Sequence, residues 1–192
     1  MPRPDLKNER REQILLAFER CVARFGMEGA TLERTAKEAG LARALIRHNV
    51  GNKDDLIAEM TERFFVASSA QWSDLEKALP AENPATALVG QLFEPRGDNA
   101  HSVLLTEALI SHAAQDKALA KRMRDWLDAS LDLICNAVRQ ELSTIDAAQA
   151  EAIAAGILGT YFNVNSLAMI GNTDRLRGAS KKAALMLLDG YG

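Results

Sequence analysis

Arg43, Arg47 and His48 stand close together with the small residues Ala42 and Ala44 beside them, on the opposite side of a short amphipathic pattern from Leu41, Leu45 and Ile46. Guanidinium and imidazole groups donate hydrogen bonds to phosphate oxygens and to acceptor atoms on base edges. Small neighbours let the helix that carries them enter a groove about 12 Å wide. Asn49 lies further along the same segment, and Lys53 opens the next, where an ammonium can meet a phosphate. With Thr31, these residues are the candidate DNA contacts.

Such a helix reads DNA only if other elements hold it. Leu32, Ala36 and Ala39 recur at helical spacing behind Thr31, whose hydroxyl suits an N-cap, and Gly40 then supplies a break. Two short helices joined in this way have the layout of a helix-turn-helix. Ahead of them Ile14, Phe18, Cys21, Val22 and Phe25 form one apolar stripe able to cover the backs of both, on a helix that Gly26 and Gly29 end. Asn52 is placed to cap the third helix after this stripe, and Asp54 and Asp55 fall in its first turn, where negative charge suits the macrodipole.

These residues resemble the N-terminal pattern of the tetracycline-repressor (TetR) family of bacterial regulators. The pattern stands here as Ile14, Ala17, Phe25, Gly26, Gly29 and Thr31, then Ala36, Ala39, Gly40, Leu41, Ile46, Val50, Lys53, Asp54 and Leu56. Beyond it the chain agrees only in length and helical content. The resemblance implies a homodimer joined through a four-helix bundle of the last two helices. Three positions depart from the family pattern. Arg47 stands where a phosphate-contacting tyrosine is usual, and arginine can also bind a phosphate. Val50 replaces a phenylalanine, which leaves a gap unless neighbours repack, and Ala42 replaces a serine, which removes a hydroxyl cap.

Composition is consistent with this. The 192 residues, 47% of them hydrophobic, can bury a sizeable core, and five prolines with few aromatics argue against an all-β protein. Neither GxGxxG nor GxxxxGK[ST] occurs, so the chain reads as all-α. The net charge of −3 is unevenly spread. Residues 1–53 hold 11 Lys+Arg against 7 Asp+Glu, whereas residues 54–192 hold 12 against 19. The basic part is the helix-turn-helix part, and exposed charges more than about 10 Å apart are largely screened at physiological salt.

Residues 1–53 are expected to form a three-helix DNA-binding domain, joined by a long helix to a helical bundle in residues 54–192 for effector binding and dimerisation. The joining helix runs from Lys53 to about Leu79. Ile57, Met60, Phe64, Ser68, Gln71 and Leu75 lie on one face, and Phe65, Trp72 and Leu79 on an adjacent one, which implies two packing partners. Pro80, Pro84, Pro95 and Gly97 punctuate the stretch after this helix. Further helices are expected at 84–94, 99–115, 117–142, 146–171 and 174–190, two of them starting at Asp146 and Asp174. Ala152, Ala155, Gly156 and Gly159 put small side chains along one face, and the final AALMLLDG is apolar nearly all round. Glycine inside a helix costs roughly 1 kcal/mol relative to alanine, so such positions usually admit another backbone, and a partner subunit is the expected source.

Enzymatic chemistry finds little support. His101 and His112 are eleven residues apart on one helix, about 16 Å at 1.5 Å per residue, too far for one metal. No GxSxG or HExxH motif occurs, and neither a metal nor a cofactor is expected. An effector cavity between helices would have Phe64, Phe65, Trp72, Leu105, Leu109, Met123, Trp126, Leu127 and Phe162 as walls, with Glu107, His112, Asn163 and Asn165 as polar anchors. Cys21 and Cys135 have no metal-ligand or CxxC spacing and read as core residues. The N-terminus lacks an apolar h-region, and no window approaches the roughly 18 to 20 apolar residues that cross a bilayer, so the expected location is the cytoplasm. Arg3 and Lys7 can form a short arm on DNA or a solvated tail.

The function expected is therefore that of a ligand-responsive regulator, most simply a repressor on a palindromic operator. Two alternatives stay open at this level: an effector-binding or protein-interaction module that no longer reads DNA, and a helical enzyme of unrecognised chemistry.

Overall fold

The computed structural model describes residues 6–94, 100–171 and 173–190. Arg3, Pro95 and Gly97 lie outside the described residues, as does the side chain of Lys7. The order is α1 (Leu6–Gly29), α2 (Leu32–Ala39), α3 (Arg43–Val50), α4 (Lys53–Lys77), α5 (Pro84–Leu92), α6 (Ala100–Ala113), α7 (Lys117–Glu141), α8 (Ala147–Leu167), a 3-10 turn (Ala168–Ile170) and α9 (Asp174–Asp189). The architecture is all-α, with no strand among the described residues. Helix ends obey local chemistry. Asp146 accepts from the Gln149 backbone N–H at 2.8 Å while the Gln149 side chain accepts from the Asp146 backbone N–H at 2.9 Å, a reciprocal capping box at the start of α8.

The chain divides into two compact units. One comprises residues 1–68 and 101–120, the other residues 69–100 and 121–192. In the first, α1 packs on α2 and α3 and buries Ile14, Phe18, Cys21 and Val22, with Ile46 and Val50 of α3 also buried. Phe25 departs from the expected stripe, being 44% exposed. Gly26 has φ 70°, ψ 174°, so the helix is broken directly after Phe25. The ring is instead flanked by the guanidinium groups of Arg24 and Arg34, 5.2 and 4.6 Å from its centroid. Burial pushes the Cys21 thiol up, as befits a core residue, whereas Cys135 is only half-buried.

In the second unit Leu75, Leu88, Val89, Leu92, Ile134, Val138, Ile153 and Ile157 form one core, with Trp72 and Leu79 packed against it. Gln71 of α4, expected on the apolar face, is exposed, while Leu56 and Thr61 are buried. Leu56 and Met60 thus serve the first unit, and Leu75 the second. The start of α5 is capped from a distance. Asn83 there has φ 52° and no capping side-chain bond; instead Glu141 of α7 accepts from the Thr86 N–H at 2.9 Å and the Thr86 hydroxyl at 2.6 Å. Glu141→Ala removes both bonds and is expected to lower stability by about 1 kcal/mol, measured by urea unfolding at unchanged m-value.

The expectation that no segment could cross a bilayer is corrected by α8. Residues 147–170 are long and apolar enough to cross a membrane, because alanine and glycine lengthen the apolar run around Ile153, Ile157, Leu158 and Val164. The same composition suits a helix packed among other helices, and four of its large apolar side chains, those just named, are buried here. Ala152, Ala155 and Gly159 on the same helix are exposed.

Candidate nucleic-acid interface

Thr31 caps α2 as its position requires, its hydroxyl accepting from the Arg34 N–H at 3.2 Å. Thr35, one turn on, is buried and donates to the Thr31 carbonyl at 2.9 Å. At the other end Gly40 adopts φ 65°, ψ 30°, a left-handed conformation that glycine reaches without strain. The Leu41 N–H then reaches back to the Ala36 carbonyl at 2.9 Å, closing α2 and redirecting the chain into α3. Ala42 stands at the N-cap of α3 with no side-chain bond, so the first turn has no hydroxyl cap.

Ile46 and Val50 turn α3 inward, and this leaves Ala42, Arg43, Ala44, Arg47 and His48 exposed. Among the described residues, Arg43, Arg47 and His48 take no part in the ion pairs of this unit. Those join Arg20 and Arg24 to Glu38, Arg11 to Glu59, Arg63 to Glu12 and Glu19, and Lys53 to Glu28, while His101 lies 3.7 Å from Glu19. The three side chains therefore need break no ion pair to meet DNA. Asn49 is different from the rest: it is 9% exposed, and its amide donates to the Leu45 carbonyl at 2.7 Å. Its side chain belongs to the fold and is not free for a base.

Lys53 begins α4, where Asn52 and Asp55 cap each other's backbone N–H groups at 2.8 and 2.9 Å. Its ammonium donates to the Glu28 carbonyl at 3.2 Å and lies 3.8 Å from the Glu28 carboxylate. Glu28 is itself largely exposed, so this contact is screened and exchangeable. Two residues of α1 that sequence reasoning passed over hold the motif from behind. Gln13 donates to the Ala39 carbonyl at 2.8 Å and Arg11 to the Asn49 carbonyl at 3.2 Å. No periodicity marks them, because a polar residue on a helix looks the same whether it faces water or a neighbouring helix end. A second brace joins α4 to α1: Arg63 donates to Glu12 at 2.8 Å, which holds the Glu12 carboxyl below its ordinary range.

The expected effector residues fall into both units. In the first, the Phe64 and Phe65 rings meet edge-on at 5.3 Å, Leu105 and Leu109 are buried, His112 is half-buried, and Glu107 is exposed. In the second, Trp126 meets Phe162 at 5.6 Å and Met123 is buried, but Leu127 and Asn163 are exposed. Glu107, Leu127 and Asn163 thus point away from any apolar interior, which their positions on helix surfaces decided. Asn165 is buried and donates to the Tyr161 carbonyl at 2.9 Å. Tyr161 was missed although it stands beside Phe162. Its ring lies 6.5 Å from Trp72, 6.2 Å from Phe93 and 5.6 Å from Phe162, and so links Trp72 to Trp126 through one aromatic series.

A basic, exposed helix placed after a glycine turn and backed by a buried face has the layout of a helix-turn-helix. The chain matches no family model. It is 28% identical over 146 residues to the helix-turn-helix transcriptional regulator PksA of Bacillus subtilis, an alignment covering 76% of this chain and 68% of that one. It is 40% identical over 52 residues to the transcriptional repressor AcnR of Corynebacterium jeikeium, covering 27% of this chain and 28% of that one. A TetR transcription regulator from Haloarcula marismortui has the same fold at TM-score 0.72 and 19% identity, with 96% and 98% of the two chains covered. The chain thus has the all-α fold of TetR transcription regulators, and its N-terminal part is similar to that of curated helix-turn-helix transcriptional regulators.

Proposed function

We propose that the chain is a ligand-responsive transcription factor that acts as a homodimer, and as a repressor that a small-molecule effector releases from a palindromic operator. Residues 1–53 read the DNA, and residues 54–192 carry the effector site and the dimer interface. The exposed set of Arg43, Arg47 and His48 on α3, outside the ion pairs of its unit, carries this reading, because those groups can reach base edges and phosphates without giving up a salt bridge. Thr31, Ala42, Ala44 and Lys53 complete the DNA surface. Similarity to a named repressor supports the direction of control.

Dimerisation is supported by apolar surface left uncovered on the last two helices. Ala152, Ala155 and Gly159 are exposed along α8, as are Leu176, Met186 and Leu187 on α9. Self-complementary surfaces of this kind suit a two-fold axis, and a dimer presents two recognition helices to half-sites about one DNA turn apart. The effector proposed is neutral and apolar or aromatic. Among the described residues, the buried polar residues of the second unit are Ser130 and Asn165, and both are already bonded to helix carbonyls beside the aromatic series. A regulator of this kind works where the chromosome is, in the cytoplasm. A gel-shift assay with the DNA flanking its own gene tests the reading. A retarded band that unlabelled specific duplex removes and random duplex does not is the expected result. No band with folded protein at micromolar concentration would leave an effector-binding or protein-interaction module.

A further inference from the structure

Arg11 of α1 bonds to both α3 and α4. Its Nε donates to Glu59 Oε1 on α4 at 2.8 Å, and one terminal nitrogen donates to the second oxygen of that carboxylate. The other terminal nitrogen donates to the Asn49 carbonyl at 3.2 Å. Asn49 lies in the last turn of α3, whose carbonyls have no donor within the helix and carry the negative end of its dipole, so a guanidinium there satisfies both. The bond to Glu59 holds the guanidinium pKa above its ordinary value.

We propose that Arg11 is a positioning residue for DNA reading: its planar guanidinium sets α3 against α4, and with it the angle at which Arg43 and Arg47 meet the groove. This rests on the reading of α3 as the recognition helix. Rotation of α4 near Glu59 then reaches α3 through directional bonds. A lysine cannot reproduce the arrangement, because a single ammonium does not present the planar fork that spans a carboxylate and a carbonyl.

The test uses the full chain. Wild-type protein first selects a motif from a random duplex pool, and anisotropy titrations then compare that motif with a scrambled duplex over a range of salt. Arg11→Lys is expected to weaken motif binding about tenfold while leaving the scrambled duplex and the salt slope unchanged. Glu59→Gln, which keeps the shape and removes the charge, gives the same selective loss to a smaller extent. The exchange Arg11→Glu with Glu59→Arg restores the ion pair and the thermal midpoint but not motif affinity, since a carboxylate has no proton to give the Asn49 carbonyl. Equal loss on both duplexes with a shallower salt slope would mean that Arg11 touches phosphate, and would overturn the proposal. So would unchanged motif affinity in Arg11→Lys, or recovery of motif affinity in the exchange. A pool that enriches no motif would remove the DNA reading itself and this inference with it.

Discussion

Gly159→Leu is expected to convert the proposed dimer into a folded monomer, whereas Gly156→Leu is expected to damage the fold itself. A Cβ built on Gly159 meets nothing within 4 Å inside the chain, so leucine is accommodated there and improves helix propensity by up to about 1 kcal/mol. Its bulk then projects from the small-residue line on which a partner helix must approach. A Cβ on Gly156 would lie 2.7 Å from Leu187 Cδ1 of α9, a contact within one chain. Leu187 can rotate away from a methyl group, but a leucine at Gly156 must displace α9, at a cost typical of overpacking, about 1–3 kcal/mol. Sedimentation and thermal unfolding separate the two outcomes: a lighter species with an unchanged or raised midpoint for Gly159→Leu, and a lowered midpoint for Gly156→Leu. A wild-type chain that sediments as a monomer at micromolar concentration would refute the proposed interface and the two-half-site arrangement together.

Lys53→Ala and Arg43→Ala should lose DNA binding in different ways. The Lys53 ammonium sits at the start of α4, held by the exposed Glu28, so its expected partner is a phosphate. Removing it should weaken binding to specific and random duplexes alike and reduce the salt slope by about one unit. Arg43 is exposed at the first residue of α3, where recognition helices place their base-reading side chains. Its loss should cost about 1–3 kcal/mol on the cognate site and little elsewhere. Competition titrations with both duplexes at several salt concentrations check the assignment. The same loss profile for both variants would abolish the distinction between reading and anchoring.

Local chemistry made most of the fold legible. Thr31, Gly40, Asn52 and Asp146 punctuate helices through side-chain oxygens or left-handed backbone, interactions that span at most five residues. The boundaries of α5 to α9 accordingly fall within a few residues of their expected places. The exposed basic face of α3 was legible for a related reason. Leu45 and Ile46 must turn inward, and a helix leaves the residues on the far side no choice but to turn out.

What the sequence determined by itself was therefore whatever a single helix decides: where it starts, where it stops and which side is apolar. Tertiary structure decided which polar and small residues meet a second helix. Phe25 and Asn49 exchanged expected places: the ring is 44% exposed with two guanidinium groups against it, and the amide is 9% exposed and donates to the Leu45 carbonyl. Gly156 and Gly159 look alike in the chain, yet only Gly156 faces Leu187. No periodicity marks Arg11 and Gln13, yet both are braces, and Glu141 caps a helix that begins 57 positions before it. The physical reason is common to all of these. Helical periodicity encodes direction about one axis, but a hydrogen bond or a close approach between helices depends on how two axes cross, and no local pattern carries that.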